Sequence, residues 1–494
     1  MLFTTPAFFC LFLPLALAGF FIAGRFSRAA AAAWLFCASL GFYGYWMPEA
    51  TSLLLASIGF NYFVGLRIAR SHGCGSSGAA QGWTALGVVL NLGLLGYFKY
   101  FNFFVGNIEA LLGAHWQIGQ VVLPIGISFF TFTQIAFLID TNRARASEYR
   151  LINYGLFVSY FPHLIAGPVL HHGQMMPQFA DPAIYRLNGA QLSAGLAIFA
   201  LGLLKKVVLA DGVSPYADAV FNPADAGLTP DTHEAWLAAL AYTFQIYFDF
   251  SGYSDMAIGL SWMFNVRLPF NFDSPYRARS ISEFWRRWHI SLSNFLRDYL
   301  YIALGGNRKG AARRYVNLAT TMLLGGLWHG ANWSFVLWGS LHGLYLMIDH
   351  GVRALRGASM ARSTGEGRLA AVPGWLLTML CVVVAWVFFR AETFAGALRV
   401  LRSMIELRAG GEVHPLLWNA GLDWSTGMLW CATLAIVSVL PINSNRIGCA
   451  LLDRCRARPE TTHYVAGAAL TVALLLVLLN SSRDSVSAFI YFNF

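Results

Sequence analysis

Residues 321–333 read Thr-Met-Leu-Leu-Gly-Gly-Leu-Trp-His-Gly-Ala-Asn-Trp. They lie in a run from Tyr315 to Met347 that contains no Asp, Glu, Lys or Arg. Such a run is long and apolar enough to enter a bilayer. Within it His329 is a polar group in an expensive setting, which makes it a functional candidate by default. Gly325, Gly326 and Gly330 beside it permit close backbone approach. The setting extends to the whole chain. Of 494 residues, 57% are hydrophobic and only 12% charged, about half the charge of an ordinary soluble domain. Mean hydropathy is +0.54. These values exclude a disordered chain, a coiled coil and an ordinary soluble enzyme, and they predict an all-α polytopic membrane protein.

Further apolar runs begin at 6–24, 29–47, 50–66, 83–105 and 121–139 and continue to 463–480, for about eleven spans in all. We read them as one membrane domain over 1–494: N-terminal spans to 150, a core from 151 to 350 with interfacial helices, and C-terminal spans from 351. Arg25 and Arg28 follow the first run, Glu49 the second, Arg67 and Arg70 the third, Glu109 the fourth, and Arg143, Arg145 and Arg150 the fifth. By the positive-inside rule the N-terminus faces outward and the basic loops are cytoplasmic. The first run has no basic segment ahead of it and reads as a retained span. Pro162, His163, Gly167 and Pro168 interrupt the segment 151–170 and predict a broken or re-entrant helix. The stretch 353–370 is polar and Arg-rich and reads as a loop. No internal repeat appears.

One segment does not fit a span. Residues 277–314 carry nine basic groups against Glu283 and Asp298, most of the chain's net charge of +10. Burying Glu283, Arg286, Arg287, Arg297 and Asp298 at bilayer depth costs on the order of 10–15 kcal/mol. Helices lying in the interface, or dipping from the cytoplasmic side, are expected instead. On one continuous helix Trp285, Trp288, Leu292 and Phe295 share a face, Arg286, His289 and Ser293 another, and Glu283 reaches Arg287 at i+4. Two readings stay open: a basic interfacial helix that binds anionic membrane lipid, and a charged pocket for an anionic cytosolic ligand. His289 favours the second. Nucleic-acid binding is the poorer account of this charge.

The seven cysteines are scattered without a C-x-x-C pair, so neither a disulfide framework nor a zinc site is read. His72, His115, His171, His172, His233, His414 and His463 fall in expected loops or helix ends, with a solvated or interfacial role as the default. His342 reads as structural. His163 either lines a cavity or caps a broken helix. For His329, a functional role and a simple bond to a neighbouring helix stand level. A buried neutral imidazole can take a proton from a hydroxyl or thiol. No G-x-S-x-G elbow and no H-E-x-x-H cluster occur. No metal and no bound cofactor are expected. A histidine acting without a protein nucleophile fits acyl transfer from an activated thioester. A non-enzymatic channel or transporter, with His329 in its pathway, is the alternative from another class.

The blocks Ser282-Glu-Phe-Trp-Arg-Arg-Trp-His-Ile-Ser-Leu-Ser, Phe295-Leu-Arg-Asp-Tyr-Leu-Tyr-Ile, Leu304-Gly-Gly-Asn-Arg and Gly325-Gly-Leu-Trp-His-Gly-Ala-Asn-Trp resemble the membrane-bound O-acyltransferase family. So do Leu123-Pro-Ile-Gly-Ile-Ser-Phe-Phe, Phe161-Pro-His-Leu-Ile-Ala-Gly-Pro, Gln245-Ile-Tyr-Phe-Asp-Phe-Ser-Gly-Tyr-Ser-Asp and the closing Phe489-Ile-Tyr-Phe-Asn-Phe. The pattern is most similar to the bacterial branch that O-acetylates polysaccharides, typified by alginate, and more distantly to D-alanyl transfer onto teichoic acid. Ala303 and Asn332 depart from the expected motif and leave the glycan open.

The resemblance implies a ring of membrane helices around a tunnel in the inner membrane of a bacterium. His329 would be the essential catalytic residue and His289 its assistant. Acetyl-CoA would be the cytosolic donor, met by Arg286, Arg287, Arg297, Arg308 and Lys309. Asn317, Trp328, Asn332 and His163 would shape the tunnel. A periplasmic partner with a Ser-based esterase-like site would pass the acetyl group to the polysaccharide. A D-alanyl or longer acyl group, with a carrier-protein donor or a lipid acceptor, is the alternative within the family.

Overall fold

A computed structural model describes the chain except residues 114, 115, 117, 145–147, 149, 361–371, 407–413, 484–488 and 494. The expectations placed on His115, Arg145, most of the polar loop 353–370 and the terminal Phe494 therefore lie outside the described residues. Among the described residues every regular element is helical and none is a strand. Helices meet the backbone's hydrogen-bond demand within one segment, which is what an apolar solvent requires. Among the described residues, six helices are long and apolar enough to cross a membrane: Ala7–Phe26, Pro48–Gly73, Ser77–Leu112, Gly189–Asp225, Val372–Arg390 and Glu460–Ser481. Trp424–Val439 and Ser444–Ala457, bent by 53°, make a seventh if counted as one. Several other runs read as spans from sequence are helices too, among them Arg28–Gly44, Ile127–Ala144, Thr232–Met263, Gly310–His329 and Trp333–Met360.

The helices sort into two compact units. The first comprises Met1–Leu203, Gly252–Phe270 and Ser444–Asn493. It is held by small residues and paired amides as well as by apolar packing. Asn61 and Asn91 exchange side-chain hydrogen bonds of 3.1 and 2.6 Å between two neighbouring helices, both fully buried. A Cβ on Gly195 would stand 2.6 Å from the Gly259 carbonyl oxygen, so these backbones touch where only glycine fits. The expected break near residue 160 is present: Leu151–Ser159 ends at Tyr160, and Phe161–Leu164 restarts with Pro162 in its first turn. His163 is buried, and its Nε2–H donates to the Phe157 carbonyl at 3.0 Å. It caps the broken helix, one of the two roles its sequence context allowed.

The second unit comprises Leu204–Ser251 and Asn271–Asn443. Gly310–His329 and Trp333–Met360 cross closely at Gly326 and Gly339. A Cβ on Gly326 would lie 2.3 Å from the Phe335 carbonyl oxygen, and one on Gly339 2.4 Å from that of Met322. The basic segment departs from a continuous helix. Ile281–Arg287 stops, Trp288 is extended, His289 adopts a left-handed conformation (φ 42°, ψ 54°), and Ile290–Phe295 restarts. The face expected to carry Arg286, His289 and Ser293 is therefore broken at its centre. The Glu283–Arg287 pair survives at 2.9 Å, because it falls within the first short helix.

The same unit buries an ionic cluster. Lys206 Nζ lies 2.8 Å from Asp211 and 2.7 Å from Asp249, with all three side chains almost fully enclosed. One ammonium thus meets two carboxylates. Removing the cation strands both, and breaking a buried pair costs about 3–5 kcal/mol. Lys206→Met is expected to lower the melting temperature of the detergent-solubilised protein sharply or abolish its folded peak. Asp211→Asn leaves a neutral one-to-one pair and is expected to be tolerated. Fluorescence-detected size exclusion after a temperature series separates the two.

Candidate active site

The site is assembled around the left-handed turn at His289. Such a conformation disfavours a side chain that carries a Cβ, so neighbours must hold it. Asn271 does so. Its backbone carbonyl accepts the Ile290 N–H at 3.0 Å, and the Asp273 N–H donates to the Arg287 carbonyl at 3.0 Å. Its side-chain oxygen accepts the Ser291 N–H at 3.1 Å and the Ser291 hydroxyl at 3.0 Å. The backbone donor fixes which end of the amide is oxygen. That same oxygen stands 3.2 Å from His289 Nδ1, so Nδ1 carries the proton and donates, and Nε2 keeps the lone pair. His289 is fully buried. Burial pushes its pKa down to about 3, because the charged form loses its hydration. The imidazole is neutral at ordinary pH with its basic nitrogen on Nε2.

His329 is the last residue of Gly310–His329. It is 3% exposed. Aromatic rings wall it: Trp328 at 5.0 Å, Trp338 at 5.0 Å nearly perpendicular, and Phe389 at 5.3 Å. Gly330 follows because a Cβ there would strike the Phe335 ring at 2.2 Å. The rings of His289 and His329 lie 6.5 Å apart between centroids, and Trp328 flanks both. Phe250 packs edge-on against His289 at 4.7 Å. Two imidazoles from separate elements thus share one aromatic enclosure. His342 stands behind this wall. Its Nδ1 accepts the Trp285 indole N–H at 3.3 Å and its ring packs on Trp338 at 4.8 Å, which suits the structural role read from sequence.

The remaining candidates divide by environment. Arg287 is held by Glu283 at 2.9 Å and by the Asp273 side chain and carbonyl at 3.3 and 3.0 Å, so it braces the turn. Arg297 pairs with Asp298 at 2.7 Å in an exposed position. Arg286, Arg308 and Lys309 are exposed. Asn317 donates to the Gly306 carbonyl at 3.0 Å and pins the Gly305-Gly306 turn. Asn332 donates to the Glu392 carbonyl and accepts the Ser334 N–H at 2.9 Å, capping Trp333–Met360. Trp328 is the one member of the expected tunnel set in contact with both histidines.

A model of the membrane-bound O-acyltransferase family matches residues 74–390, a span that contains both histidines and their enclosure. The chain belongs to this family. It is 38% identical to a peptidoglycan O-acetyltransferase of Helicobacter pylori, over 100% of this chain and 98% of that one. It is 40% identical to a probable alginate O-acetylase, AlgI, of Pseudomonas putida, over the full length of both. A protein of the same name from Azotobacter vinelandii is 45% identical over 82% of this chain and 78% of its own.

Sequence reading missed Asn271, Phe250, Trp338 and Phe389. Asn271 stands in Pro-Phe-Asn-Phe-Asp-Ser-Pro, residues 269–275, where Pro and Asp mark an irregular segment without naming its partner. Asn271→Ala removes the group that sets the His289 tautomer. Leaving a buried donor such as Nδ1–H without its acceptor costs about 1–3 kcal/mol, a factor of roughly 5–150. Acyl transfer is expected to fall by that order while the membrane-inserted amount stays near wild type, read by an activity assay paired with immunoblotting.

Proposed function

We propose that this protein is an inner-membrane O-acetyltransferase that takes acetyl groups from cytosolic acetyl-CoA for the O-acetylation of an extracytoplasmic glycan. The enclosed His289–His329 pair carries this reading, together with membership in a family of O-acyltransferases. The names of full-length relatives support acetyl as the acyl group and a cell-surface glycan as final acceptor. Alginate was the first expectation from sequence, and the Helicobacter relative supports peptidoglycan equally well. Loop charges support an outward-facing N-terminus and cytoplasmic basic segments.

In this reading His329 is the general base. It removes the proton of an acceptor hydroxyl as the oxygen attacks the thioester carbonyl. The C–O bond forms, the C–S bond breaks, and the proton passes to the departing thiolate. His289, held with Nδ1–H on Asn271, offers Nε2 to orient the acceptor or relay the proton. A centroid spacing of 6.5 Å is one that a single hydroxyl or water can bridge. The aromatic walls exclude bulk water, which protects the thioester from hydrolysis. Exposed Arg286, Arg308 and Lys309 supply positive charge for the phosphates of CoA. A tunnel implied by family resemblance brings donor and acceptor to opposite sides of the pair. The chain's loops are short, so a periplasmic partner with a nucleophilic serine receives the acetyl group and passes it to the sugar.

Deletion of the gene, followed by measurement of ester-linked acetate in the secreted polysaccharide and in peptidoglycan, tests the reading. One of the two pools is expected to lose its acetate. His329→Ala is expected not to restore it, although inserted and folded at the wild-type level. Unchanged acetate in both pools, or full restoration by His329→Ala, would sink the proposal. In membranes, the triple change of Arg286, Arg308 and Lys309 to Ala is expected to raise KM for acetyl-CoA several-fold with kcat little altered, an effect that weakens as salt is raised.

A further inference from the structure

A second cluster of titratable side chains lies in the second unit at residues separated by more than 180 positions. Asp231, His233 and His414 each place one possible donor atom within 4.8 Å of those of the other two. His414 Nδ1 meets Asp231 Oδ2 at 2.7 Å. The rings of His233 and His414 are 5.3 Å apart, and Trp424 packs against both at 5.6 and 5.9 Å. The sequence could not show this grouping, because its ligand spacing is neither C-x-x-C nor H-E-x-x-H and each histidine alone reads as a loop residue.

The cluster stands on a rigid base. Asp231 and Glu234 form a capping box at the start of Thr232–Met263. Asp231 Oδ1 accepts the Glu234 N–H at 2.8 Å, and Glu234 Oε2 accepts the Asp231 N–H at 3.0 Å. Buried Glu234 also accepts the N–H groups of Leu416 and Leu417 at 2.7 and 3.2 Å through Oε1. That carboxylate therefore fixes the start of Pro415–Asn419, and His414 directly before it, against the start of the long helix. The Asp231–His414 hydrogen bond accounts for two members of the group. It gives no reason for the exposed His233 ring to turn to the same point.

We propose that Asp231, His233 and His414 bind one divalent transition-metal ion, zinc foremost. Two imidazoles and one carboxylate suit a borderline cation and not calcium or magnesium, which prefer all-oxygen shells. Zinc–donor bonds of about 2.0–2.2 Å require donors somewhat closer than their present maximum separation, a change that side-chain rotation supplies. Three protein donors leave the fourth position for water or for a side chain of another protein. The ion clips the start of Thr232–Met263 to the residues before Pro415–Asn419, and it stabilises the fold because it binds only where both are in place.

The test uses the full-length protein in detergent, with its affinity tag removed and metal stripped by chelator. Zinc chloride alone is added, followed by dialysis and elemental analysis. Wild type is expected to retain about one zinc per chain and to melt at a higher temperature with zinc than without. His233→Ala removes an exposed ligand at the cost only of its ring contacts with His414 and Trp424, and Asp231→Asn keeps a helix-capping oxygen while removing the carboxylate. Each is expected to weaken zinc binding at least tenfold and to lose the zinc-dependent rise in melting temperature. Equal zinc retention by wild type and His233→Ala, or weakening of less than tenfold in both variants, overturns the site. Acyl transfer need not be measured, so the result is independent of the catalytic reading.

Discussion

The turn that carries His289 is gathered on one side-chain oxygen. Asn271 Oδ1 gathers the Ser291 N–H, the Ser291 hydroxyl and His289 Nδ1. The carboxamide acts together with the backbone bonds of Ile290 and Asp273; were a histidine at φ 42° free to relax to helical geometry, Ile281–Phe295 would form one helix. The imidazole would then lie on the same surface as Arg286. The turn instead separates two environments within fifteen residues. The arginines stay exposed or paired with carboxylates, while the histidine enters the enclosure of Trp328, Phe250 and His329. Backbone strain is tolerated here because the surrounding bonds over-determine it, as is common where geometry serves chemistry.

Burial in this protein is selective about polar groups. Asn61 and Asn91 satisfy each other. Lys206 is enclosed with two carboxylates. His342 is tied to an indole N–H. Each arrangement answers the cost of carrying a polar atom into an apolar interior. Close glycine crossings at Gly195 with Gly259, and at Gly326 with Gly339, replace the hydrophobic driving force that a lipid solvent does not supply between helices. Gly326 lies three residues before His329, so the closest approach in the second unit also positions the last turn that carries the imidazole.

Much of this was legible in the sequence, for identifiable reasons. The fold class follows from the deficit of charge. The break near Tyr160 follows from Pro162 and Gly167, and the burial of His329 from its place in an uncharged run. The Glu283–Arg287 pair was legible because i+4 contacts are local. What stayed hidden is non-local. Helical spacing placed His289 beside Arg286, because nothing in Arg-Arg-Trp-His-Ile announces a left-handed residue whose clamp sits eighteen positions upstream. Trp338 and Phe389 looked like ordinary apolar positions until the chain brought their rings around His329. Arg287 looked like a ligand for phosphate, and its carboxylate partner Asp273 lies fourteen residues away.

The conformation of His289 bears on how its chemistry can be isolated by mutagenesis. Alanine, the usual choice for deleting a side chain, inherits the same unfavourable backbone but not the Nδ1 bond that helps maintain it. A defect at that position would mix a collapsed turn with a missing imidazole. Asparagine and glycine accept left-handed geometry far more readily. Those two alleles, compared with each other, would report the loss of the ring while leaving the path of the chain intact.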